Sequence, residues 1–182
     1  MSQVDLSRFS NKWYKPGGIV KRVMWYCVNI IFFRSPFFLL GFVKICFLKI
    51  FGCKIGRGVV IKPNVSIKYP WFLEIGNNVW IGEGVWIDNL CQVKIGDNVC
   101  ISQGAYIMTG SHDHSKVSFD LIIRPVIIED GAWIGAKSII LPGSMIKTHA
   151  VISAGAVFSG TAKPYSVYIG NPATFAFKRT IS

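Results

Sequence analysis

The first 68 residues contain a single acidic side chain, Asp5, against 12 lysines and arginines. Residues 69–182 hold eight acids and eight bases, so the whole net charge of +11 sits in the first part. That imbalance excludes a uniformly charged chain. It divides the sequence into an electrically balanced body and a basic segment, whose first 51 residues hold 12 of the 25 aromatics. Such asymmetry points to nucleic acid or membrane as partner of the first part. Its basic residues alternate with bulky apolar ones, which suits lipid better than a phosphate backbone, so no nucleic acid is expected.

Other scarcities narrow the class further. Five cysteines, at positions 27, 46, 53, 91 and 100, are an odd number with no Cys-x-x-Cys pair. This excludes a fully paired disulfide framework and the usual zinc spacings; reduced, buried thiols in a cytoplasmic protein are the expectation, with no metal. Long apolar runs are missing too. Arg34 ends the run 23–33 and Lys44 ends the run 37–43, whereas a membrane span needs about 20 apolar residues. Lys21-Arg22 before the first run imitate a signal peptide, but no small-residue cleavage site follows Arg34-Ser35-Pro36.

What the chain has in quantity is one repeat. Ile55, Ile61 and Ile67 stand six apart, as do Ile75, Ile81, Ile87 and then Ile95, Ile101, Ile107. After an interruption come Ile128, Ile134, Ile140 and Ile146, Ile152, Phe158. A second small or aliphatic residue falls four after the first: Val59, Val65, Val79, Val85, Val99, Ala105, Ala132, Ser138. A helix needs a period of 3.6, and a strand meander turns at irregular intervals. Six residues suit a short strand plus a corner, and three such units close one triangular turn of a parallel β-helix. Glycine often follows the isoleucine, as in Ile75-Gly76 and Ile134-Gly135, where a corner needs positive φ or close backbone approach. About five turns at strand spacing make a prism roughly 24 Å long.

With "IGEGVWIDNLCQVKIGDNVCISQGAYIMTGSHD", "PVIIEDGAWIGAKSIILPGSMIK" and "YSVYIGNPA", residues 55–177 resemble the hexapeptide-repeat acyltransferases. The nearest likeness is to sugar O-acetyltransferases of polysaccharide biosynthesis, of the colanic acid type. The resemblance implies a left-handed β-helix, against the usual right-handed crossover rule. It also implies acetyl-CoA as cosubstrate and a homotrimer with active sites in the clefts between prisms. The mainly β domain is expected over 53–177, after a helical segment 1–52 and before a tail 178–182.

The repeat breaks after Ile107 and resumes at Ile128, so a loop leaves the prism at Gly110 and returns at Pro125. Excursions from a solenoid gather on one face, often the binding face. Acetyl transfer to a hydroxyl needs a base, and histidine, with an unperturbed pKa of about 6.5, suits that work near neutrality. The resemblance assigns this role to His112 of "TGSHD". Asp113 or a backbone carbonyl would hold its tautomer. His114 either orients substrate or is solvated, and His149 is structural. Asp88 and Asn89, at a corner one turn below, are either acceptor-binding groups or ordinary turn residues. By resemblance, backbone N–H groups at Gly135 and Ala136 stabilise the oxyanion. The pantetheine arm lies near Ala136, Ala154 and Ser159, with Trp133 walling the groove. Lys178 and Arg179 then meet phosphates or form a charged tail.

Three alternatives remain open at this point. They are an amino-sugar N-acetyltransferase, a non-enzymatic β-helix scaffold, and a zinc enzyme of the γ-carbonic anhydrase type, for which the histidines are poorly spaced. For the N-terminus, Pro36 predicts two helices, 19–33 and 36–51. They either lie on the inner face of the cytoplasmic membrane or cover the open end of the prism. In the first case Lys44, Lys49 and Arg34 snorkel, Trp13, Tyr14, Trp25 and Tyr26 sit at the interface, and Lys12, Lys15, Lys21 and Arg22 face anionic headgroups.

Overall fold

The computed structural model describes residues 3–182. Its body is a left-handed parallel β-helix with three faces. The first face stacks Lys54–Ile55, Leu73–Ile75, Val93–Ile95, Val126–Ile128, Met145–Ile146 and Thr161–Ala162. The second stacks Val60–Ile61, Trp80–Ile81, Cys100–Ile101, Trp133–Ile134, Val151–Ile152 and Ser166–Gly170. The third stacks Ser66–Ile67, Trp86–Asp88, Tyr106–Met108, Ile139–Ile140 and Val157–Phe158. The first corner joins faces one and two, the second joins two and three, and the third joins three and one.

The period of six becomes structure through register. Ile61 pairs with Ile81, Ile81 with Ile101, Ile101 with Ile134 and Ile134 with Ile152, so identical side chains stack along the axis, all buried. Each such burial is worth about 1.5–3 kcal/mol. The glycine after the isoleucine is explained by close approach rather than by φ. A Cβ on Gly76 would lie 2.7 Å from the carbonyl carbon of Gly96, and one on Gly135 would lie 2.5 Å from the nitrogen of Ala154. Positive φ falls elsewhere in the corners, at residues such as Asn78, Asn98 and Lys137.

Five complete turns are followed by part of a sixth, made of Thr161–Ala162 and Ser166–Gly170. A step of six misses it because only two residues separate Phe158 from Thr161. The last strand, Ala173–Lys178, folds back antiparallel on Ser166–Gly170.

The helices differ from expectation. α1 spans Ile19–Val28 and continues as a π-helical turn, Asn29–Phe33. α2 begins only at Gly41 and ends at Ile50. Residues 36–40, expected to be helical, form a turn and an irregular link instead, with Phe38 packed edge-on against Phe32 at 5.0 Å. Together the helices cover the open edge of the first turn. The Trp25 indole N–H donates to Ile67 O at 2.8 Å, Asn29 Oδ1 accepts from Ile67 N at 3.3 Å, and Lys44 Nζ donates to Lys62 O at 3.0 Å. Trp25 and Lys44 are therefore buried cap residues, not interfacial ones, because an uncovered edge strand leaves backbone groups without partners. Burial lowers the pKa of Lys44. Cys27 and Cys46, expected to be buried, are exposed on these helices; all five cysteines are free thiols.

Candidate active site

The break in the repeat is a β-hairpin. Gly110–His112 pairs antiparallel with Leu121–Ile123, placing His112 opposite Leu121, and Val126 re-enters the first face beside Val93. Its root is built by the first two residues of "TGSHD". Thr109 is fully buried; its hydroxyl accepts from Cys91 N at 3.1 Å, and its N–H donates to Asp88 O at 3.2 Å. Gly110 lies against the Leu90 side chain, whose end a Cβ would displace. The excursion thus leaves the third corner along a fixed direction.

His112 is exposed, yet its ring is held on three sides. It stacks on Phe119 with centroids 4.5 Å apart and planes 8° apart, and Phe9 from the N-terminal segment packs at 5.6 Å. Its Nδ1 lies 2.9 Å from the carbonyl oxygen of Phe119. A carbonyl only accepts, so Nδ1 carries the hydrogen and the lone pair of the neutral ring is on Nε2. Phe119 has a φ of +51°, an unusual conformation for a bulky residue, and it aims the carbonyl at the imidazole. The Asp5 N–H donates to Val117 O at 2.9 Å, tying the N-terminal segment to the hairpin tip.

Asp113 does not orient His112. Its carboxylate accepts from the Ser115 hydroxyl at 2.6 Å and the Ser115 N–H at 3.1 Å, contacts that hold its pKa below the usual carboxylate value. A local turn outcompetes the imidazole because Ser115 is only two residues away. His114 is exposed at the tip, and His149 packs tilted against Tyr165 at a different corner.

One turn below the hairpin, Asp88 forms an ion pair with Lys68 at 2.9 Å and accepts from the Tyr106 hydroxyl at 3.3 Å. Burial, with the Asp88 charge adding to it, pushes the Tyr106 phenol up to about 12, so it stays a donor. Asn89 is different. It is wholly buried, and its amide accepts from Tyr69 N at 3.0 Å and donates to Tyr69 O at 2.6 Å. It clamps the corner beneath and is not an acceptor-binding group. Phe9, Tyr106 and Phe119 carried no sequence signal for the site, since none falls in the "TGSHD" motif.

The expected donor-side residues lie elsewhere. Gly135, Ala136 and Ala154 are at the second corner, where Gly155 N donates to Ala136 O at 2.8 Å and small side chains leave the backbone open. Gly135 N–H is taken by Ile152 O at 2.7 Å, which leaves the Ala136 N–H and, one turn on, the Ala154 N–H without a backbone acceptor. Trp133 is exposed beside it, its indole N–H donating to Ser102 Oγ at 2.9 Å. Ser159 is exposed on the third corner, above the hairpin, and Lys178 is exposed on the last strand. Arg179 is partly engaged: its Nη1 donates to Gly131 O at 3.0 Å and His149 O at 3.1 Å, pinning the tail across the first corner. The second and third corners are separated by one face. Six residues at about 3.3 Å put them as much as about 20 Å apart within one chain.

Comparison with known proteins gives this geometry its family. The family profile described as "Bacterial transferase hexapeptide (six repeats)" matches residues 125–160. The chain is 36% identical over 177 residues, 96% of its length and 97% of the relative's, to the "Putative colanic acid biosynthesis acetyltransferase WcaF" of Escherichia coli K12. Among solved structures it resembles the hexapeptide-repeat acetyltransferase VCA0836 of Vibrio cholerae in complex with acetyl coenzyme A. That match has a TM-score of 0.80 and 21% identity, covering 89% of this chain and 88% of that one. A maltose O-acetyltransferase from Clostridium difficile 630 follows with a TM-score of 0.75 and 25% identity, covering 90% and 88%. A hexapeptide prism broken by a hairpin that presents one tautomer-locked histidine, in a chain this similar to WcaF along nearly its full length, makes the protein an acyltransferase belonging to the hexapeptide-repeat acetyltransferase family.

Proposed function

We propose that the protein transfers an acetyl group from acetyl-CoA to a sugar hydroxyl during surface polysaccharide biosynthesis, with His112 as general base. The observation that carries it is an exposed imidazole whose Nδ1–H is held by Phe119 O, which leaves the lone pair on Nε2. Nε2 takes the proton of the acceptor hydroxyl as its oxygen attacks the thioester carbonyl. The carbon–sulfur bond then breaks, and the imidazolium returns the proton to the departing thiolate of coenzyme A. Ala136 N–H is suited to the oxyanion. Asp88, hydrogen-bonded to Tyr106 and paired with Lys68, is suited to the acceptor's other hydroxyls. Trp133, Ala136 and Ala154 offer an open, small-residue groove for the pantetheine arm.

That His112 and this groove belong to different corners supports a site shared between copies. A homotrimer that sets the second corner of one copy against the hairpin of the next supplies both halves. His112→Ala should lower kcat by about 10²–10⁴-fold with acetyl-CoA and a sugar acceptor while the assembly survives. Near-normal turnover would remove His112 from the chemistry. Run in parallel on hydroxyl and amino-sugar acceptors, with mass spectrometry of cell-surface glycans, the same assay decides between O- and N-acetylation. Membrane contact, the other partner expected from the sequence, concerns a different part of the molecule.

A further inference from the structure

We infer that the outer surface of the N-terminal cap docks flat on an anionic lipid bilayer. An ordinary surface helix turns its apolar stripe to the core and its polar face to water; the cap is apolar on both sides. Its inward side buries Phe33, Leu48 and Phe51 in the core and among them offers the Trp25 indole, the Asn29 amide and the Lys44 ammonium, each bonded to the backbone or side chains of the first turn. The outward side is apolar. Val20, Met24 and Ile31 recur at helical spacing on α1 and its extension, all exposed, and Phe37 in the following link is 90% exposed. An apolar surface of this kind marks an interaction site.

Charge selects the occupant. From Leu6 to Leu73 there is no acidic residue, while Lys15, Lys21, Arg34 and Lys49 are exposed around the apolar surface. A second copy would bring two strongly basic segments face to face, which repulsion opposes; an anionic headgroup layer is complementary. No helix among the described residues is long and apolar enough to cross a membrane, so this surface lies in the interface. A groove of about 470 Å³ runs from Ile19 and Val23 of the cap to Lys68 and Trp86 on the prism. The His112 hairpin leaves the third corner two turns further on, roughly 10 Å away at strand spacing. Docking would therefore hold the base close above the headgroups. None of this depends on which acceptor His112 serves.

The test is co-sedimentation of the full-length protein with vesicles of phosphatidylglycerol and phosphatidylethanolamine, against vesicles of phosphatidylcholine alone. Binding is expected to the anionic vesicles and to weaken with added salt. The double variant Met24→Glu/Ile31→Glu, and separately Phe37→Glu in the non-helical link, should each weaken it by about tenfold or more. Lys15→Glu/Lys49→Glu should do the same through charge. Thermal melts of each variant identify any that is unfolded, and Phe37→Glu, outside every helix and core contact, serves if the helical pair unfolds. Absence of wild-type binding, or equal binding by the folded variants, overturns the proposal. So does wild-type self-association that Phe37→Glu abolishes in the absence of vesicle binding, which would make the surface an interface between copies.

Discussion

His112 shows how little a motif needs to carry when its neighbours do the positioning. Thr109 and Gly110 set the direction of the hairpin, and Phe119 supplies the carbonyl that fixes the ring. Asp113, adjacent in sequence, has its carboxylate turned to Ser115 instead. Asp113→Asn should therefore leave kcat within about twofold of wild type, far from the effect of His112→Ala. A fall of a hundredfold would mean that the carboxylate, not the carbonyl, governs the imidazole. At the other end of the chain, Lys44 keeps a charge out of water for one hydrogen bond to Lys62 O. Burial lowers its pKa, so protonation at neutral pH works against the folded state. Lys44→Met should melt no lower than wild type, whereas Lys44→Ala, which also removes the stem, should lose about 2–4 kcal/mol in denaturant titration.

Between residue and molecule, the corners act as elements. At the first corner the Asn77 N–H donates to Asp97 at 2.7 Å, and the Asp97 N–H donates to Asp130 at 2.8 Å, so each side chain satisfies the turn beneath it. One turn along the same edge, Glu129 accepts from Lys147 at 2.7 Å and from Thr148 N at 3.0 Å. The backbone donor lowers the pKa of Asp97, and the Lys147 hydrogen bond lowers that of Glu129. A carboxyl whose folded pKa lies below its unfolded value stabilises the fold above the unfolded value. That stability is lost as pH falls through the folded pKa. Melting temperature should hold steady down to about pH 5 and fall below about pH 4, with Glu129→Gln showing a shallower fall. A melting curve independent of pH down to about pH 3 would contradict the corner hydrogen bonds.

At the scale of the whole molecule, the two halves of the proposed site sit on different corners of one prism. Two variants, each impaired in one half, test this directly. His112→Ala removes the base, and Ala154→Phe blocks the small-residue groove. Coexpressed, they should form mixed trimers in which about a quarter of the sites pair an intact hairpin with an intact groove, recovering about that fraction of activity. A site contained in one chain would recover nothing. Sedimentation of an active monomer would likewise refute a shared site.

The prism was legible in the sequence because a hydrophobic step of six, sustained through Ile55 to Phe158, has one compact solution: inward isoleucines stacked at strand spacing. The hairpin was legible as the place where that step fails. Tertiary structure alone decided three things. Phe119, through its left-handed backbone, orients His112, and no local pattern encodes a carbonyl's direction. Asn89 is consumed by backbone groups 20 residues away, and Arg179 Nη1 is tied to carbonyls 48 and 30 residues away, which only the stacking of turns brings within reach. And the cap sets polar atoms of Trp25, Asn29 and Lys44 among its buried apolar side chains, because the unpaired edge of the first turn requires partners, while Val20, Met24 and Ile31 stay exposed outside.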